Sequence, residues 1–381
     1  MNFQPTSQQT QARETALAVA RERFGEYDAI ADRASRFDRD GWNALLESPF
    51  AQGFVPVEYG GLGWDALTRA YALEAFGEGC RDNGLSLGFS ALVCTILPPL
   101  LTFGSDDQIN RYLPRLLSGD CIAADCITEA EAGSDAMAMR SKATPNESGY
   151  LLEGGKRYIG FAPIADLLLV YAKTDPEAGA WGLSAFLVDS DLPGVRLSEN
   201  KEKMGLRTLP MGDIDFERCQ LPEGARLGGE GAGLSLFNES MEWERAMILA
   251  TQVGVLKRQL EESVAHARSR QQFGNPISSF QSVSNRIAEQ RLRLENCRLH
   301  LYRTCWLLDQ GQSVAAEAAM TKLSISEALL ASSIDSLRNR GAQGYLEGST
   351  IERDLRDAAG GILYAGTSDI QRNLIARMTG L

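Results

Sequence analysis

Five segments of the 381-residue chain hold residues whose type and spacing could do chemistry. Residues 126–135, CITEAEAGSD, run from a strand-like stretch into small side chains. Small residues let a flat ligand approach the backbone, and Thr128, Ser134 and the Gly133 amide supply donors. Residues 269–281, SRQQFGNPISSFQ, place Arg270 and Phe273 at a helix end before a turn. Residues 338–345, RNRGAQGY, put glycine after a basic helix end. In residues 364–373, YAGTSDIQRN, Gly366, Thr367 and Ser368 would cap a last helix whose N-terminus could receive a phosphate. The fifth is Trp243-Glu244-Arg245, a carboxylate beside a guanidinium. Singly, each has an ordinary explanation: a strand turn, a solvated arginine, a core phenylalanine, a helix C-cap, an exposed helix carboxylate.

Other chemistries lack their residues. There is no GxGxxG and no GxxxxGK[ST]; the nearest approach runs from Gly149 to a Lys156 one place late, followed by Arg157. Residues 84–88, GLSLG, match a hydrolase elbow around Ser86, but in an uncharged helical stretch rather than after a strand. The only two histidines, His266 and His300, sit near arginines, which speaks against a Ser-His-Asp triad. No Cys/His cluster has ligand spacing, so no metal is expected. Chemistry here must rest on carboxylates and a cofactor.

The elements that position these segments fall into three domains. Residues 1–121 read as helical, with Thr6 and Ser7 as caps, Gly77 and Gly79 stopping a helix over 68–79, and a loop at 52–64. Residues 122–234 carry short β-rich runs (ADLLLVYAKT, LSAFLVDS, GVRLSEN, GDIDFERCQL) spaced as in an antiparallel β domain. In residues 235–381 the apolar period of three to four returns, implying a four-helix-bundle-like domain. Residues 83–105 are uncharged and long enough to span a bilayer, yet Pro98-Pro99 interrupts them and Asp82 and Asp106 flank them, so a buried helix is expected. With 38 Lys+Arg against 50 Asp+Glu, the net charge of −12 disfavours nucleic-acid or anionic-membrane partners. Seven cysteines without a CxxC pair, and a polar N-terminus without a signal core, read as reduced thiols in a cytoplasmic protein.

In this order and spacing, the ExxAGSD-type segment, R-x-x-F-G, G-x-x-G and the AGTS tail resemble the acyl-CoA dehydrogenase flavoprotein family, over nearly the whole chain. The resemblance implies an α+β fold with helical, β and helical domains, FAD as cofactor, a homotetramer whose flavins are each shared by two subunits, and α,β-dehydrogenation of a thioester. It assigns Cys126, Ile127, Thr128, Gly133, Ser134, Tyr158 and Ile159 to the flavin wall. Arg270, Phe273, Gln281, Arg338 and Gly341 would reach a neighbouring subunit's FAD, with Thr367 and Asp369 near phosphates. Arg245 and Ser134 would meet the substrate. Where the family usually has its catalytic glutamate this chain has Ala365. Isovaleryl-CoA dehydrogenases carry the base on an earlier helix in an L-E-R context, and Trp243-Glu244-Arg245 resembles it, which assigns the base to Glu244. Glu242 would lie on another helix face.

The segments around Glu244, Arg270, ERDLRDA and LYAGTSDIQRN further resemble a branch that includes prolyl-carrier-protein dehydrogenases and oxidases of secondary metabolism. That implies an L-prolyl thioester on an acyl or peptidyl carrier protein, oxidised to a pyrroline or pyrrole, with an electron-transfer flavoprotein or O2 as acceptor. The alternatives are a short- or branched-chain acyl-CoA dehydrogenase and a non-catalytic flavoprotein. Arg286, Arg291, Arg293, Arg298 and Arg303 mark one helix as a basic face for an acidic carrier, or as a set of salt bridges.

Overall fold

The structure, a computed structural model, describes residues 4–380. Its first helix, α1 (Ser7–Phe24), begins with a reciprocal cap: the Thr6 hydroxyl accepts from the Gln9 amide, and the Gln9 side chain accepts from the Thr6 amide. The other long N-terminal helices are α2 (Ala66–Gly79), α3 (Asn83–Phe103) and α4 (Asp106–Ser118). Gly77 does not stop α2. A Cβ there would meet the Thr251 carbonyl oxygen at 1.8 Å, and one at Gly254 would meet the Glu74 carbonyl oxygen at 2.0 Å. The two glycines let α2 cross a C-terminal helix backbone to backbone, and that crossing joins the outer domains. The uncharged α3 is buried as expected. It widens to π geometry over Leu92–Ile96, just ahead of Pro98 and Pro99, which have no amide to give the preceding turn.

The middle sheet has eight strands: β1 (Ala123–Cys126), β2 (Lys142–Asn146), β3 (Gly149–Gly160), β4 (Leu167–Lys173), β5 (Leu183–Asp189), β6 (Val195–Leu197), β7 (Met211–Leu221) and β8 (Arg226–Leu227). Their order is β6-β7-β3-β2-β4-β5-β8, with β1 added to β4. Most pairs are antiparallel, but β1 runs parallel to β4, with Asp125 opposite Leu169. The twelve-residue β3 occupies the stretch whose sequence showed only a failed phosphate loop. Gly154 (φ +139°) and the charged Lys156 and Arg157 break its apolar alternation at two register shifts.

The C-terminal part consists of α5 (Gly233–Met247), α6 (Ala250–Ser269), α7 (Gln281–Asp309), α8 (Ala315–Arg340), α9 (Thr350–Gly361) and α10 (Ser368–Met378). The long α6, α7 and α8 pack against one another, and α2 closes on α6 and α7. One apolar core runs through all three regions, from Ala12 to Ala358.

Candidate active site

Phe237, Ser240 and Glu244 recur at three- to four-residue spacing on α5 and so share one stripe. Phe237 stands edge-on to Tyr171 of β4, ring centroids 5.9 Å apart, which turns that stripe toward the sheet. Glu244 ends the stripe, and its Oε2 is buried with no hydrogen-bond partner among the described residues. Burial pushes the carboxyl up from 4.5 to about 7, while the charges of Arg245 and Lys322 pull it down. A carboxyl that ionises near neutrality is suited to general-base work.

The residue standing where the family has its glutamate is strained: Ala365 has φ +55° and is followed by Gly366 at φ +80°. Gln371 donates to the carbonyls of Ala365 (2.9 Å) and Gly366 (3.1 Å), and Lys322 Nζ donates to Gly366 O at 2.8 Å. Because Glu244 also feels the Lys322 charge, the fold brings positions 244 and 365 to one lysine. Lys322 is fully buried and is lowered to about 8 by desolvation, with Glu244 opposing. Glu242 accepts from Ser313 Oγ (2.9 Å) and the Val314 amide (3.2 Å), ahead of the first turn of α8 and on another face. Sequence reading missed Lys322. The available signal was its place in the buried stripe of α8 with Ala318, Ile325 and Leu329.

The segments assigned to the cofactor form two groups. In the first, Cys126 is buried, Ile127 and Thr128 are half-buried, and Gly133 and Ser134 are exposed. An added Cβ at Gly133 or Gly160 would meet nothing within 4 Å, so both backbones face open space. Lys156, the misplaced lysine of the sequence, braces this loop from beneath by donating to Glu129 Oε1 (2.9 Å) and Ile127 O (3.1 Å). Glu129 in turn accepts from the Arg140 and Ser141 amides. Tyr158 is 63 % exposed at φ +60°, whereas the Ile159 side chain belongs to the core and leaves only its backbone to offer.

In the second group, Arg270, Phe273 and Gln281 lie exposed around the hairpin Gln271–Gln272/Asn275–Pro276, with Phe273 91 % exposed at φ +52°. His266 feels both Arg270 and Arg340, so the end of α8 that carries Arg338 and Gly341 lies beside this hairpin. Thr367 caps α10 by accepting from the Ile370 amide, and the exposed Asp369 pairs with Arg372. A carboxylate repels phosphate, so any anion at that turn must be met by its backbone rather than by Asp369. Open glycine backbones, an exposed aromatic ring and a separate cationic edge fit FAD.

Ser86 is buried and donates to the Asp82 carbonyl within its own helix, so the elbow-like sequence is only a helical turn. The basic helix α7 is engaged internally. Arg286 and Arg293 pair with Asp335, Arg298 with Glu74 and Glu295, Arg303 with Glu317, and Arg291 with Glu295. These are salt bridges, not a free basic face.

Family descriptions match along the chain: acyl-CoA dehydrogenase N-terminal domain at residues 6–120, middle domain at 124–219 and C-terminal domain at 231–379. An L-prolyl-[peptidyl-carrier protein] dehydrogenase of Pseudomonas fluorescens is 47% identical over 85% of this chain and 85% of its own length. The crystal structure of the prolyl acyl carrier protein oxidase AnaB superposes with a TM-score of 0.95 at 41% identity, covering 99% of this chain and all of the other. PigA with FAD and proline superposes with a TM-score of 0.97 at 40% identity, over the whole of both chains.

Proposed function

This chain belongs to the acyl-CoA dehydrogenase family, as an FAD-dependent oxidoreductase acting on a thioester, and on that premise we propose that it oxidises an L-prolyl group carried by a peptidyl carrier protein. The observation that carries the reading is Glu244: its Oε2 is buried and unpartnered, its pKa is near neutral, and it feels the charge of Lys322, which also holds the Gly366 carbonyl next to Ala365. It offers a base in place of the one that Ala365 lacks. The relatives that act on prolyl carrier proteins supply the substrate class.

Glu244 takes the α-proton of the thioester. Negative charge then gathers on the thioester oxygen, and the Ala365 amide, which has no intramolecular acceptor among the described residues, is free to donate to it. FAD, when bound, supplies the acceptor for the hydride leaving the β-carbon. Arg245, half-buried with an unpartnered Nε, would meet the thioester arm. The exposed hairpin suits a homotetramer in which each edge completes a neighbour's cofactor site, and the buried free cysteines suit the cytoplasm.

Anaerobic mixing with L-prolyl-loaded carrier protein should bleach the flavin absorbance faster than butyryl-CoA does. Equal or faster bleaching by butyryl-CoA would return the protein to the short-chain acyl-CoA dehydrogenases, and inertness to both would make it a non-catalytic flavoprotein. Admitting air afterwards separates the acceptors: rapid return of colour means O2, and persistence means an electron-transfer flavoprotein.

A further inference from the structure

Beside Glu244 the wall of the site is polar where a hydrocarbon acyl group would need it apolar. Asp125 pairs with Leu169 across the parallel β1–β4 contact, so the two side chains share a sheet face, and Tyr171 lies two residues further on the same face. Phe237 against Tyr171 sets α5 over that face, and Ser240 and Glu244 follow on its stripe. Two carboxyl oxygens in this region, Asp125 Oδ1 and Glu244 Oε2, are buried without a partner, and the Tyr171 and Ser240 hydroxyls beside them face each other. Tyr171 and Ser240 are themselves 0% and 2% exposed. The cation whose charge reaches Asp125, Lys156, gives its hydrogen bonds to Glu129 and the Ile127 carbonyl instead.

Resting on the prolyl reading above, the geometry points to Asp125, supported by Tyr171 and Ser240, as the subsite that binds the ring nitrogen of an α-aminoacyl thioester while Glu244 faces its α-carbon. A secondary amine and a buried carboxyl match in proton count, because the neutral acid–amine pair and the carboxylate–ammonium pair hold the same protons. The subsite can therefore be filled without burying net charge. Burial and the Glu244 charge hold the Asp125 carboxyl well above the usual carboxylate range, as expected of an acid lacking its partner. A plain acyl chain would leave the Asp125 oxygen desolvated and unbonded. Asp125 is thus a specificity-determining residue, distinct from the base.

The test compares the L-prolyl and cyclopentanecarbonyl thioesters of pantetheine, which differ by one ring N–H, in the FAD-loaded wild type, Asp125→Asn and Asp125→Leu. Wild type should favour the prolyl thioester in kcat/KM of flavin reduction by on the order of 100-fold, the worth of one charged hydrogen bond. Asp125→Leu should erase or invert that ratio with melting temperature and FAD content unchanged, and Asp125→Asn should fall between. A ratio unmoved in Asp125→Leu overturns the assignment. Calorimetric binding of free L-proline against cyclopentanecarboxylate decides the same point without turnover. If wild type reduces with neither thioester, the prolyl function fails, yet proline binding that disappears in Asp125→Leu still supports the subsite, and proline binding indifferent to Asp125 refutes it.

Discussion

Glu244 sits near the end of a helix packed between the β sheet and α8, with Lys322, Arg245 and the strained Ala365–Gly366 turn around it. Arg270 and Phe273 stand on a two-stranded hairpin whose strand residues are all exposed. The first region is organised within one chain: Lys322 and the Glu244 Oε2 are buried, and the charges of Glu244, Arg245 and Lys322 are felt by one another and shift their ionisation. The second is polar and aromatic surface with little to hold it. Proton abstraction needs a desolvated carboxyl that does not depend on assembly, whereas a cofactor edge shared between subunits must remain uncovered until a neighbour arrives. On the homotetramer proposed above, the contrast separates a site that the monomer organises from one that a neighbour would finish.

The largest effect should come from Glu244→Gln, which keeps shape but cannot accept a proton. General-base catalysis contributes roughly 10²–10⁴-fold, about 3–5 kcal/mol of barrier, so stopped-flow flavin reduction should slow by that range with FAD retained. The wild-type rate should rise with pH through about 7 as Glu244 ionises, and this limb should vanish in the variant. Glu242→Gln, which loosens the bonds to Ser313 and Val314 and removes a charge felt by Arg245, is the control and should change the rate far less. Fast reduction in Glu244→Gln would dissolve the pocket side of the comparison.

Next in size is Arg270→Ala. It should lower FAD content and tetramer mass in size-exclusion light scattering while shifting the melting temperature of the chain little, because the side chain is exposed. Equal loss of fold and flavin would make the hairpin part of the monomer's own structure.

The smallest effect is electrostatic. Lys322→Met removes a charge that favours ionised Glu244, so the acid limb of the pH–rate profile should move to higher pH. A limb that stays in place would assign Lys322 to holding the Gly366 carbonyl alone.

The order of domains and the buried uncharged helix were legible in the sequence because each rests on local pattern, an apolar period and an interrupted run, whereas Glu244 was singled out only by the resemblance of Trp243-Glu244-Arg245 to a family motif. Gly77 was legible as a helix breaker but not as a crossing point, since only the backbone of Thr251 lying against it makes glycine obligatory. The five arginines of α7 could be read as a basic face or as salt bridges for the same reason: Glu74 and Asp335, which claim three of them, lie far away in sequence. Lys156 read as a failed phosphate ligand, and folding turned it inward onto Glu129. Residue types along the chain thus determined which elements form. The tertiary structure decided which of those groups lose water and which charges face each other across α5, β1, β4 and α8. Desolvation and Coulomb energy depend on distances in space, and no spacing along the chain fixes them.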